Sequence, residues 1–290
     1  RMTAAAMRDY VQLAKPRITT LVVFTCASGL WLAPGRLPAR TVLLTLVGTV
    51  LIVAAANVLN MYLERDTDAL MKRTMNRPLP AGRLDPQLAL RFGLVLAAVS
   101  VPLLTFAVGP LPGLLASVAL VSYVLLYTPL KRHTAAALLV GAVPGAIPPL
   151  IGWTAATESL DLPGVLLFAV MFLWQVPHFL AITLFRREEY ARAGLVVTPN
   201  EPGGEREARR NIVRYSVALV AVSLLFVPLG IGRGLYFATA LLAGLLFLGY
   251  GIRGLRADAG ERWARNEFIF SLAYLTVLFA VLMLDHGPRA

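Results

Sequence analysis

Asn60, Glu64 and Asp68 recur every four residues. On a helix that spacing puts an amide and two carboxylates on one face, about 6 Å apart along the axis. Three oxygen-bearing side chains in such a stripe suit Mg²⁺, which binds through one or two carboxylates plus substrate phosphates. Lys72, Arg73 and Arg77 follow directly and could hold phosphate oxygens that a metal leaves free. The plain alternative is a solvated helix end, with Glu64 or Asp68 paired to a basic residue such as Lys72. The stripe begins inside an apolar run, however, where polar groups are costly and usually functional. That favours chemistry.

Further along, Tyr127 and Lys131 lie one helical turn apart at the end of another apolar run. A phenol and an ammonium there could contact a leaving anion, or could be an interfacial Tyr beside a positive-inside Lys. His178 follows Pro177 in the middle of a third run. An imidazole at that depth needs a partner, and it reads either as a packing element or as a ligand to a substrate. His133, in a basic turn, reads as solvated. Gly141 and Gly145, with Pro144, Pro148 and Pro149 nearby, suggest close helix packing around a kink.

These residues must be positioned by membrane helices. The 290 residues are 58% hydrophobic and 15% charged, against roughly 25% charged in soluble domains, and the mean hydropathy is +0.70. Apolar runs of spanning length fall near 18–34, 42–62, 88–108, 113–129, 135–155, 164–184, 213–231, 234–252 and 267–285. The expected fold is therefore an all-α polytopic bundle of nine transmembrane helices. The first run continues at spanning length and does not resemble a cleavable signal. With the N-terminus inside, only Arg36, Arg40, Arg233 and Arg289 of the 27 Lys and Arg residues lie outside. That asymmetry is the positive-inside rule, so the net charge of +11 reports orientation and not nucleic-acid binding. The single cysteine, Cys26, rules out an intrachain disulfide and reads as packed filler.

Two connections, 64–87 and 185–212, are long and charged, while the outer ones are short. They recur four spans apart, as expected if one domain, 1–290, holds pseudo-repeat halves at about 14–155 and 164–285. The charged loops would then face each other over a central cavity on the cytoplasmic side.

The stripe with Met71-Lys72-Arg73-Thr74-Met75-Asn76-Arg77-Pro78 resembles the first acidic motif of the UbiA prenyltransferase superfamily. It departs from the usual pattern at Met61 and Glu64, as the protohaem-farnesylating branch does. Ala14-Lys15-Pro16-Arg17, Tyr127-Thr128 with Lys131-Arg132, and Gly145 to Trp153 are similar to further stretches of that branch. So are Trp174-Gln175-Val176-Pro177-His178-Phe179 and Tyr190-Ala191-Arg192-Ala193-Gly194. The likeness runs from about residue 9 to 200. In the second acidic motif this chain has Phe185 and Glu189 at the Asp positions of quinone-prenylating members, with Glu188 adjacent. The branch usually carries Asp at the Glu189 position, and Asn where Ala137 stands.

The resemblance implies a membrane enzyme that transfers a farnesyl group from farnesyl diphosphate to a vinyl group of protohaem, with Mg²⁺ as cofactor. Asn60, Glu64, Asp68 and Glu189 would hold the metal. Lys72, Arg73, Arg77, Arg186, Glu189, Tyr190 and His178 would bind substrate, with His178 orienting the porphyrin. Asn60, Glu64, Asp68, Tyr127 and Lys131 would act in catalysis, and Tyr62 and Tyr127 could offer aromatic faces to an allylic cation. The site would lie in a bacterial inner membrane, with the lipid bilayer as its medium and a downstream haem A synthase as a partner. A prenyltransferase for a quinone precursor is the nearer alternative. A transporter is the more distant one, and the clustering of polar groups at one membrane face counts against it.

Overall fold

The computed structural model describes residues 4–286; Arg1, Arg289 and the Arg17 side chain lie outside what it describes. Helices make up almost all of it: α1 Ala4–Leu13, α2 Pro16–Leu32, α3 Ala39–Ala69, α4 Pro86–Val108, α5 Pro110–Leu130, α6 Ala137–Thr157, α7 Leu162–Phe185, α8 Arg187–Arg192, α9 Gly204–Leu224, α10 Gly234–Arg253 and α11 Glu261–Leu284. Among the described residues there is no strand, only an isolated bridge between Gly232 and His286.

Local sequence explains the boundaries. Asp85 caps α4 by accepting from the Leu88 amide at 2.9 Å, and Pro86 occupies the first turn, where its missing N–H costs nothing. Asp161 does the same for α7, accepting from Gly164 at 3.3 Å. Seven helices, α3 to α7 with α10 and α11, are long and apolar enough to cross a bilayer. The protein is thus a multi-pass membrane protein. The other two expected spans differ from these seven. The apolar part of α2, Ile18–Leu32, is shorter. The helix α9 begins at Gly204 and ends at Leu224, so its first half is the charged run Gly204-Glu-Arg-Glu-Ala-Arg-Arg and only its second half is apolar.

The central helices are α6 and α7. Of the apolar window in α6, 72% is buried, against 22% in α4 at the periphery. The α6 helix packs on α2, α5 and α7, while α7 packs on α9 and α11, and α2 meets α11 to close the ring. Where α2 crosses α6 the backbones touch through glycine. A methyl group on Gly29 would lie 2.0 Å from the Pro149 carbonyl oxygen, and one on Gly152 would lie 2.0 Å from that of Cys26. Cys26 itself is packed, its Sγ 3.4 Å from Thr49 Oγ1.

Two helices widen into π-helical turns next to proline: Leu103–Val108 after Pro102, and Ser122–Tyr127 before Pro129. The Pro129 ring clashes with the carbonyl four residues back, that of Leu125 inside the second turn, and the wide turn relieves that clash. The second of these turns carries two tyrosines of the site.

Candidate active site

At 31 residues, α3 continues past its apolar stretch, so Asn60, Glu64 and Asp68 sit on uninterrupted helix. All three are buried, at 2%, 5% and 2% exposure. Burial of two carboxylates requires compensating charge, and each residue of the stripe has a cation from a different segment. Lys15 Nζ donates to Asn60 Oδ1 at 3.3 Å, Lys131 pairs with Glu64, and Arg77 Nη1 donates to Asp68 Oδ2 at 2.6 Å. The expected i+4 pairing with Lys72 is not made, because α3 ends at Ala69 and Lys72 is exposed.

Lys15 reaches the stripe from the junction of α1 and α2, where its backbone takes the left-handed conformation, φ 48°. For a residue with a Cβ that conformation costs about 1–2 kcal/mol. Ala14 next to it is held by Thr19 Oγ1 at 2.7 Å and Asn57 Nδ2 at 3.4 Å. Burial and the nearby Arg77 charge pull the Lys15 ammonium down to about 7.

The stripe forms one wall of a cavity of about 220 Å³. Opposite it, Tyr123 and Tyr127 stack at 5.5 Å on the π turn of α5, and the Lys131 ammonium lies 5.4 Å from the Tyr127 ring centre. Asn60 Nδ2 donates to Thr128 Oγ1 at 3.0 Å, and Thr128 donates in turn to the Tyr123 carbonyl at 2.8 Å, tying α3 to that turn. Gly141 leaves room for the Tyr127 ring, whose nearest atoms would lie 2.6 Å from an added Cβ. This agrees with the close-packing reading of the glycine pair. The floor on α7 comes from Phe179, Ile182 and Thr183.

Two connections roof the cavity. Arg73 and Arg77 come from the first, Tyr190 and residues 195–198 from the second. They meet where Met71 packs with Ala193, Leu195 and Tyr190. The Val196 amide donates to the Lys131 carbonyl at 2.9 Å, pinning the second connection across the mouth. Arg132 reaches Thr67 Oγ1 at 2.5 Å from the other side. Burial raises the Tyr190 phenol above its usual pKa.

The structure thus brings together Asn60, Glu64, Asp68, Arg73, Arg77, Tyr127, Lys131 and Tyr190. Five expected residues stand apart. Lys72 points to solvent. Arg186 and Glu189 pair with each other at 2.9 Å beside the cavity, one turn apart, and do not line it. Tyr62 packs into the cluster of Leu13, Val58 and Leu79, with Arg65 over its ring at 4.8 Å. His178 turns towards α11: its Nδ1 lies 2.7 Å from Ser271 Oγ, and its ring stacks on Trp174 at 4.5 Å and on Phe268 at 4.8 Å. The Trp174 indole also donates to α11, to the Ser271 carbonyl at 2.7 Å. Lys15, Tyr123 and Thr128 join the site without having been singled out. Tyr123 could have been found, since it precedes Tyr127 by one turn.

No group of three His, Cys, Asp or Glu side chains that could hold a metal occurs among the described residues. The stripe offers two carboxylates and an amide, each matched to a mobile cation and next to a basic roof. That donor set fits a divalent ion completed by phosphate oxygens better than one enclosed by protein alone.

A profile of the UbiA prenyltransferase family matches residues 22–273, and this defines the class: the chain belongs to the UbiA prenyltransferase family of membrane-embedded enzymes. Among its relatives, the protoheme IX farnesyltransferase of Myxococcus xanthus is 54% identical over 97% of this chain and 95% of that protein. Solved structures with the same fold include a digeranylgeranylglyceryl phosphate synthase, with TM-score 0.82 and 16% identity over 96% of this chain and 98% of that one. A UbiA homologue from Archaeoglobus fulgidus bound to GPP and Mg²⁺ has TM-score 0.67 and 16% identity over 94% and 99%.

Proposed function

We propose that the chain transfers a farnesyl group from farnesyl diphosphate to a vinyl group of protohaem IX, giving haem O. The observation that carries this is the buried stripe of Asn60, Glu64 and Asp68, each with its own cation, facing stacked tyrosines in a membrane bundle. The acceptor follows from the Myxococcus relative, matched over nearly its whole length.

Asn60, Glu64 and Asp68 would hold a Mg²⁺, as the metal-bound Archaeoglobus homologue of this fold suggests. The ion supplies charge neutralisation that makes diphosphate a good leaving group. Lys131 and Arg77 turn from the carboxylates, and Lys15 from the Asn60 amide, to the diphosphate oxygens as it arrives, with Arg73 joining them from the roof, so the buried charge stays balanced at each stage. The allylic C–O bond then breaks and the electron pair leaves with the diphosphate. Tyr123 and Tyr127 present ring faces to the carbocation that remains, and the apolar floor of Phe179 and Ile182 keeps water from it. The vinyl π electrons form the new C–C bond. Water adds hydroxyl to the porphyrin-side cation and a proton departs. Glu189 pairs with Arg186 and Lys72 is exposed, so this reading assigns neither a role at the metal.

At about 220 Å³ the cavity is smaller than the roughly 300–1,000 Å³ typical of small-molecule sites. Porphyrin access therefore needs the Met71–Leu195 roof to lift. We read α2 and the apolar half of α9 as two further crossings, which gives nine. The N-terminus and the site then face the cytoplasm of a bacterial inner membrane, and the two roofing connections belong to pseudo-repeat halves of one domain. A haem A synthase would draw haem O from the same bilayer.

The test is expression in a host lacking its own farnesylated haem, followed by pigment extraction. The expected result is a haem carrying one hydroxyethylfarnesyl group. A prenylated hydroxybenzoate or naphthoate without haem O would overturn the acceptor and keep the chemistry.

A further inference from the structure

A second cavity, of about 400 Å³, opens between the C-terminal end of α10 and the start of α11. It lies on the same face as the roof of the first, since Arg209 at the start of α9 donates to the Gly254 and Ala259 carbonyls at 2.7 and 2.5 Å. Its walls carry Arg253, Arg256 and Arg262, with Asn266 as a neutral donor and Asp258 as the one carboxylate. Asp258 pairs loosely with Arg256 at 3.4 Å, both groups being largely exposed. Arg253 and Arg262 form no ion pair among the described residues; Arg253 lies over the Tyr250 ring at 5.8 Å. Glu261, in the same turn as Arg262, does not line the cavity.

The opening of α11 adds to this positive field. Gly260 stands at its N-cap with no side chain to accept from the first amides; the Trp263 amide bonds to the Gly260 carbonyl at 3.1 Å, which leaves the amides of Glu261 and Arg262 open, with the Glu261 carboxylate in the same turn, and open N–H groups at a long helix's start attract phosphate. Directly below, the outward faces of the same two helices are apolar and exposed: Leu246, Ile252 and Leu255 on and after α10, Ile269 on α11. Trp263 seals the inner wall, its indole donating to the Tyr250 carbonyl at 3.0 Å. A cluster of guanidiniums beside an exposed apolar helix surface suits one kind of molecule, anionic at one end and hydrocarbon at the other.

We propose that this cleft binds the phosphate headgroup of an anionic phospholipid, with its acyl chains lying along the exposed apolar surface of α10 and α11. Arg253 and Arg262 take the phosphate oxygens, Arg256 exchanges Asp258 for the ligand, and the α11 amides complete the site. No residue of the prenyl-transfer cavity is involved, so the lipid clamps the α10–α11 hairpin and leaves the chemistry untouched.

The test compares wild type with the triple variant Arg253→Gln, Arg256→Gln, Arg262→Gln. Both are purified in neutral detergent and melted with phosphatidylglycerol, with phosphatidylcholine and with inorganic phosphate alone. Wild type should gain several degrees from phosphatidylglycerol only and retain about one phospholipid per chain after delipidation. Each lost arginine should weaken retention about fivefold, so the triple variant about a hundredfold, while its prenyl transfer in neutral detergent matches wild type. Equal stabilisation of wild type and variant would overturn the site. So would a phosphatidylcholine effect as large as that of phosphatidylglycerol, while an equal effect of inorganic phosphate would reduce it to an anion site. If the triple variant fails to fold, Arg262→Gln alone is measured against its own lipid-free melting point, and an unchanged phosphatidylglycerol gain overturns the proposal equally.

Discussion

Asp68 illustrates how the site behaves before substrate arrives. Its carboxylate is buried and held by Arg77 at 2.6 Å, with the Arg77 side chain 25% exposed. Asp68→Asn keeps the shape and loses the charge, so the fold should persist while turnover falls by about three decades or more. The measurement is haem O formed per hour across a Mg²⁺ and chelator series, with the exposed Lys72→Ala as a control that keeps most activity. Near-normal turnover of Asp68→Asn, insensitive to chelator, would remove the metal from these residues. The stripe was legible because a four-residue spacing is a statement about one helix face. Lys131 and Arg77 were expected in the site, but their pairing with the stripe, and the arrival of Lys15, were not legible, because these contacts arise from the packing of separate segments. The surroundings of His178 were open for a related reason. Its depth in the membrane was readable, but which neighbour it faces depends on the rotation of α7, which the bonds of His178 and Trp174 to Ser271 of α11 fix.

Among the elements, α5 does the most to shape the cavity. Its turn Ser122–Tyr127 closes with the Thr128 amide bonding to the Tyr123 carbonyl, one residue wider than an α-turn. Deleting Leu125, which is 62% exposed on the outer side, should convert the turn to regular helix. The helix on either side keeps its facing, because the wide turn absorbs the one extra residue, but Tyr123 and Tyr127 become three residues apart and their rings shift against each other. We expect the deletion variant to insert in the membrane and to lose nearly all turnover, whereas Leu125→Ala keeps it. Comparable activity in both would show that the wide turn has no role in placing the pair. Hydropathy predicts that α5 exists and cannot predict the turn. Helix starts with an Asp cap and a proline, as at Asp85-Pro86, are readable from local chemistry. The start of α9 is not, because its first half is charged and lies beyond the apolar pattern.

For the whole molecule, the test concerns orientation. Nine crossings with the N-terminus inside put residue 200 in the cytoplasm and the C-terminus outside, as the distribution of Lys and Arg favours. Reporter fusions at those two positions should therefore report opposite sides of the membrane. Agreement between them would leave two crossings after residue 200, with α9 as the helix that fails to span. Composition alone made the all-helical bundle legible. It could not indicate that two central helices, α6 and α7, carry the contacts between the halves of the ring.

The three cations on the stripe come from separate stretches of chain, Lys15 before α2, Arg77 in the roof and Lys131 after α5, and this has a consequence for turnover. On the proposed mechanism, the diphosphate left behind after prenyl transfer would compete with the enzyme's own carboxylates for the same ammonium and guanidinium groups. The protein thus carries a built-in eluent, as an ion-exchange resin does, and each cycle ends when Glu64 and Asp68 reclaim their counter-ions. A site with stronger, permanently free cations would bind its first substrate more tightly and release its by-product more slowly.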